Sequence, residues 1–147
     1  MNITIRPVVS ADLSDVYDLV RELAIYEKAL DQLKMTATDY VQYHKEGVFE
    51  AIVAEANSKI VGTCIYYLTF STWKGKMLYL EDFVVTPELR GKRIGEQLFK
   101  GFIDIAKSTG CTMVKWQVLD WNEPAIRFYK RHGATIEKEW WNGKIIF

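Results

Sequence analysis

The chain has 147 residues, 49% of them hydrophobic, which is enough for one compact domain with a substantial core. Lys and Arg number 19 against 19 Asp and Glu. That balance argues against a nucleic-acid or membrane-surface protein, since both need surplus positive charge to meet phosphates. Aromatic residues reach 14%, which points to a rigid core and an aromatic-walled pocket or subunit interface. Cys64 and Cys111 fit no metal or redox spacing and read as buried thiols. The first residues lack the apolar stretch of a signal peptide and no segment has the length of a membrane span, so a cytoplasmic protein is expected.

Residues 2–8 alternate Ile3 and Ile5 with Thr4 and Arg6, which predicts a short strand ended by Pro7. Ser10 or Asp12 can cap a helix with Leu13, Val16, Leu19, Val20 and Leu23 on one face, fraying over residues 25–34. Thr38 and Asp39 open a second short helix, closed by Gly47. Residues 49–54 and 60–70 are β-branched and aromatic runs that predict a hairpin, and residues 77–85 give the third strand of this meander. Ile94, Leu98, Phe102 and Ile105 keep helical spacing up to Gly110, and residues 113–119 alternate as a strand. Asn122 caps a helix that has Pro124 in its first turn and ends at Gly133. In the tail, Asn142-Gly143 between Glu-Lys-Glu-Trp-Trp and Lys-Ile-Ile-Phe is a hairpin signal, with Trp140 and Trp141 packing the hairpin or a dimer contact. The order β-α-α-β-β-β-α-β-α-β-β predicts a mixed α/β domain over residues 1–147, with helices on both faces of the sheet.

Residues 78–98 hold the strongest functional signal. An apolar strand carries the adjacent acids Glu81 and Asp82, stops at Thr86-Pro87, and enters a helix through Arg90-Gly91-Lys92-Arg93-Ile94-Gly95. Neighbours on a strand face opposite sides of the sheet, so the two acids are expected on different faces. An acid in a strand centre is often a structural ion-pair partner, but two together in an apolar run favour a site. Free backbone N–H groups at a helix start bind anions, although an ordinary basic turn has the same spacing. The loop meets neither the Walker nor the dinucleotide pattern, so ATP and NAD are not expected. His44 and His132 are isolated, and no metal site is expected.

The joint pattern of Arg90-Gly91-x-x-x-Gly95 after a strand and Asn122-x-x-Ala125-x-x-Phe128-Tyr129-x-x-x-Gly133 resembles the GNAT superfamily of acetyl-CoA-dependent N-acetyltransferases, over essentially the whole chain. Tyr79-Leu-Glu-Asp-Phe, Trp121-Asn-Glu-Pro, Phe128-Tyr-Lys-Arg and Glu22-Leu-Ala-x-Tyr-Glu are similar to its diamine (spermidine/spermine) acetyltransferase branch. Ser71-Thr-Trp-Lys-Gly and Leu119-Asp-Trp-Asn look closer to the thialysine-acetylating type. The chain departs from the family at Arg93, where the loop has a glycine, and in a tail that ends early, at Phe147.

The resemblance implies acetyl-CoA as co-substrate and no metal. Its pantetheine would lie on the backbone of Phe83, Val84 and Val85. The pyrophosphate would sit on Arg90, Gly91, Lys92, Arg93, Ile94, Gly95 and Glu96, with Asn122, Glu123, Pro124, Ala125 and Tyr129 on the other side. An aliphatic amine, with a pKa near ~10.4, arrives protonated and must lose a proton before it attacks. By resemblance Glu81 accepts that proton through a water, Asp82 helps hold the cation, and Tyr129 protonates the leaving thiolate. Tyr26, Glu27, Trp73, Gln117 and Glu139 would complete the acceptor pocket, where acids and aromatic faces suit an ammonium ion. Lys74 and Lys76 would repel a long polycation.

These features lead to an acetyltransferase acting on a thialysine-like amino acid or short diamine by direct attack in a ternary complex, working as a homodimer. Polyamine acetylation, acetylation of protein lysines or N-termini, and non-catalytic acetyl-CoA binding are the alternatives.

Overall fold

The computed structural model describes residues 1–147. They form two compact units, Met1–Gln117 and Val118–Phe147.

The first unit contains β1 (Ile3–Pro7), α1 (Leu13–Tyr26), α2 (Ala37–Lys45), β2 (Glu50–Ala56), β3 (Lys59–Ser71), β4 (Gly75–Val85), α3 (Ile94–Ser108) and β5 (Met113–Trp116). The strands lie in sequence order in a single sheet. The pairs from β1 to β4 are antiparallel, and β5 adds in parallel to β4 after the α3 crossover. The predicted hairpin between β2 and β3 closes on Asn57 and Ser58 alone, both at positive φ, the pairing of signs that matches strand twist in a two-residue turn.

Local chemistry sets the helix ends. The α2 start is one residue earlier than predicted, because Thr36 is the cap: its Oγ1 accepts from the Asp39 amide at 3.2 Å, and Asp39 Oδ2 accepts from the Thr36 amide at 2.8 Å. At the head of α1 the carboxylate of Asp12 faces a different donor. Arg6 Nη1 and Nη2 reach its two oxygens at 2.7 and 3.0 Å, while Arg6 Nε binds Glu55 at 3.0 Å. This fork ties β1, the entry to α1, and β2 together.

One face of the sheet buries Ala51, Val53 and Ile65 against Leu13, Val16 and Val20 of α1. The other carries α3, whose Ile94, Leu98 and Phe102 are fully buried. Ring contacts Tyr66–Phe102 (5.5 Å), Phe83–Phe99 (5.9 Å) and Phe99–Trp116 (5.6 Å) continue that layer. Gly62 permits the close approach, since a Cβ there would stand 2.8 Å from Leu98 Cδ1 and 3.2 Å from the Val84 carbonyl oxygen.

In the second unit, α4 (Glu123–Arg131) starts at Asn122, whose Oδ1 accepts from the Ala125 amide at 3.4 Å. Gly133, at φ +87°, follows its end as predicted. The predicted terminal hairpin does not form: no strand follows α4, and Trp140, Trp141, Ile145, Ile146 and Phe147 are exposed. A two-stranded hairpin is marginal in water, so the Asn142-Gly143 turn signal does not suffice without a sheet to join. The strand predicted over residues 113–119 is also shorter and ends at Trp116. No helix is long and apolar enough to cross a membrane.

Two stability predictions follow from named residues. The Arg6 fork holds the Asp12 carboxyl below its ordinary value, so its contribution is present above about pH 4 and fades as pH falls through the depressed folded value. Asp12→Asn should cost about 1–3 kcal/mol in urea unfolding at neutral pH, and that difference should shrink in acid. Arg93 holds φ 64° and ψ 14°, a left-handed conformation that costs a side-chain-bearing residue about 1–2 kcal/mol. Arg93→Gly should therefore raise thermal stability, by up to about 1 kcal/mol after the greater chain entropy of glycine is subtracted.

Candidate active site

The pairing of β3 with β4 slips by one residue in its middle. Ile65 lies opposite Asp82 and Tyr66 opposite Leu80, so Glu81 is an extra residue with no partner on β3. This bulge resets the alternation of the strand. The expectation that Glu81 and Asp82 face opposite sides of the sheet is therefore corrected: both line one cavity, on the face of Ile65 and Tyr67.

The cavity has a volume of about 300 Å³. Tyr40 and Tyr43 of α2 and the flanking Met35, Val48 and Phe49 form its remaining wall. Tyr40 is held by edge-on contacts to Tyr17 at 5.3 Å and Phe49 at 6.0 Å. No Lys or Arg lines the space, so its only formal charges are the two carboxylates.

The two acids have different surroundings. Glu81 Oε1 accepts from the Tyr67 hydroxyl at 2.9 Å. Asp82 is pushed up to about 7, first by burial and then by the charges of Glu81 and Glu27. Burial also raises Glu27, which caps the end of α1. Tyr40 and Tyr67 are raised as well, chiefly by burial and further by the acids, and remain protonated phenols. Such a pocket is electrostatically short of a positive charge, and a bound ammonium ion would relieve the repulsion.

Of the other residues expected in the acceptor pocket, Tyr26 ends α1 and carries the Arg90 guanidinium over its ring at 5.8 Å. Trp73 does not join the cavity lining: it is 84% exposed in the β3–β4 turn, where Ser71 Oγ accepts from the amides of Trp73 and Lys74. Gln117 follows β5 directly. Glu139 lies in the tail of the second unit, its carboxylate accepting from the Lys138 amide at 2.8 Å. The cavity wall formed by Tyr40, Tyr43, Phe49, Ile65 and Tyr67 was not predicted. The three-residue spacing of Tyr40 and Tyr43 on one helix face was its visible signal.

After Val85 the chain enters the basic loop. Gly91 sits at φ +82° and Arg93 at φ +64°, so Arg93 adopts the turn that a glycine would take. The first α3 hydrogen bond to the loop is Gln97 N–H to Arg93 O at 3.1 Å, and the amides of residues 91–96 donate to no protein acceptor. They are a row of unused donors at the positive end of a helix of 15 residues. Arg90 is drawn back by a 3.4 Å bond from Nε to the Val85 carbonyl, which leaves Lys92 and Arg93 as the outward charges. The β5 ladder covers only Met77–Leu80, so β4 runs on through Phe83, Val84 and Val85 beyond its parallel neighbour. In the second unit Tyr129 is buried and meets Phe128 edge-on at 5.7 Å.

The chain matches the acetyltransferase (GNAT) family over residues 13–134. It is 37% identical to the thialysine N-epsilon-acetyltransferase of Bos taurus, covering 95% of this chain and 89% of that protein. It is 34% identical to a spermidine/spermine N(1)-acetyltransferase-like protein of Homo sapiens, over 92% of this chain and 21% of that longer one. Among solved structures, an integron cassette protein of V. cholerae superposes with a TM-score of 0.79 at 26% identity, covering 100% of this chain and 94% of that one. From its sequence and its five-stranded mixed sheet, the chain belongs to the GNAT family and is an N-acetyltransferase.

Proposed function

We propose that this acetyltransferase moves an acetyl group from acetyl-CoA to the primary amine of a small acceptor, a thialysine-like amino acid or a short diamine, by direct attack in a ternary complex. The observation that carries this reading is the cavity in which the bulge places Glu81 and Asp82 together, with no basic residue beside them. Carboxylates attract the ammonium group and the tyrosine rings add cation–π attraction. The same lining offers no counter-charge to an acceptor's carboxylate, which favours a diamine over an amino acid.

Acetyl-CoA is the co-substrate of the family, and the unused amides of residues 91–96 suit its phosphates. When bound it supplies an activated acetyl thioester. Lys92 and Arg93 add positive charge to the loop, and the open edge of β4 at Phe83, Val84 and Val85 suits an extended polar chain. Residues Asn122 to Ala125, at the head of α4, and Tyr129 would hold the same molecule. The Glu81 carboxylate takes a proton from the acceptor nitrogen through a water, freeing the lone pair for attack. Tyr129 gives its phenol proton to the departing sulfur. The functional unit is a homodimer in this reading, which would give cover to the exposed tail residues Trp140, Trp141 and Phe147.

Thiol release from acetyl-CoA over a panel of diamines, thialysine, lysine, polyamines and peptides tests the acceptor class. Short diamines should be turned over fastest, and failure with every small amine would refute the proposal. Glu81→Gln and Tyr129→Phe should each lower kcat by about 10²-fold or more while leaving the acetyl-CoA Kd nearly unchanged. Retention of full rate by both variants would remove their assigned roles.

Asp82 also sets a pH dependence. Because burial and like charge raise it to about 7, it is largely neutral below that pH and charged above it. Binding of a diamine in the absence of the acetyl donor should weaken several-fold between about pH 8 and about pH 6, read by calorimetry. Asp82→Asn should flatten that dependence.

A further inference from the structure

Glu81 occupies the one position of β4 where the ladder with β3 is interrupted, so the register does not fix its direction. Something else must orient this carboxylate. The nearest candidate is Tyr67 on β3, whose hydroxyl donates to Glu81 Oε1 at 2.9 Å. The Tyr67 ring is itself held, stacked on its cross-strand partner Tyr79 with centroids 5.4 Å apart and planes at 20°. Asp82 faces the same cavity but accepts no hydrogen bond from the protein. Adjacent, like-charged acids are thus treated differently by the fold: one is clamped, and the other is left to follow the ligand.

We infer that Tyr67 is a positioning residue of the acetyl transfer, clamping one oxygen of Glu81 so that the other receives, through a water, the proton of the acceptor amine. The inference rests on the proposed role of Glu81 as proton acceptor. In that step an N–H bond of the amine breaks, an O–H bond forms on Glu81, and Tyr67 keeps its own proton throughout. Burial and the neighbouring acid raise the Tyr67 phenol, so it stays a donor over the whole working range. The other titratable groups around this pair are Tyr79 on β4, Tyr40 and Tyr43 on α2, and Glu27 after α1. None of these groups is basic, and no Lys or Arg lines the cavity.

The test is Tyr67→Phe, which keeps the stacked ring and removes only the hydroxyl. It should lower kcat about tenfold and leave the acetyl-CoA Kd and the melting temperature unchanged. In a Glu81→Gln background the same substitution should cost little further, because Tyr67 acts only through Glu81. Wild-type kcat, a full tenfold loss in the Glu81→Gln background, or a rate loss matched by lost melting temperature would each overturn the assignment. A readout free of turnover keeps the two proposals apart. The wild type should give a slowly exchanging, downfield phenol hydroxyl proton in NMR, absent in Tyr67→Phe and displaced in Glu81→Gln. Should that signal ignore Glu81→Gln, the clamp is refuted. Should it respond while no amine is acetylated, the acetyl-transfer reading fails, and the positioning role fails with it.

Discussion

The site depends on a single extra residue in β4. A regular strand would turn Glu81 and Asp82 to opposite faces, and each acid would face a different layer of helices. The bulge instead directs both to the face covered by α1 and α2, where they meet an apolar wall of tyrosines. Burying Asp82 beside the exposed Glu81 is unfavourable in the free protein: burial first and the neighbouring negative charge second raise it. The surrounding sheet supports this arrangement because the antiparallel ladder resumes on both sides of the slip, from Gly62 opposite Val85 to Ser71 opposite Gly75. The irregularity at the candidate site is thus flanked on both sides by regular sheet.

The helix-start loop shows the same economy in a different form. Its donors are backbone amides left over by helix geometry, so their supply does not depend on side-chain identity. That explains how a residue with a side chain, Arg93, can stand at this turn. The residue still takes the left-handed turn, and the amide row is preserved at a cost in backbone strain.

Most of the fold was legible in the sequence because it rests on local rules. The helical spacing of Ile94, Leu98 and Phe102 located α3 and its buried face, and Asn122, Pro124 and Gly133 marked both ends of α4. The acids and the anion loop were also visible, since an apolar strand carrying two carboxylates is chemically odd. The bulge was not. It depends on the register between β3 and β4, which no stretch of either strand encodes alone. For the same reason Tyr67 went unnoticed, its partnership with Glu81 existing only across that register. The tail failed in the other direction: Asn142-Gly143 carries genuine turn chemistry, but strands also need an edge to join.

The wall of the cavity opposite the acids comes largely from α2, a helix that buries none of its residues. Its capping box at Thr36 and Asp39 holds it together from within. Tyr43 is exposed and stands clear of the hydrophobic core beneath α1 and the sheet, whereas Tyr40 packs against that core, so only Tyr43 can be exchanged without disturbing it. The cavity wall and the core thus share Tyr40 and part company at Tyr43. A lineage could retune the size and polarity of this cavity at Tyr43, keeping the core, the two acids and the bulge unchanged.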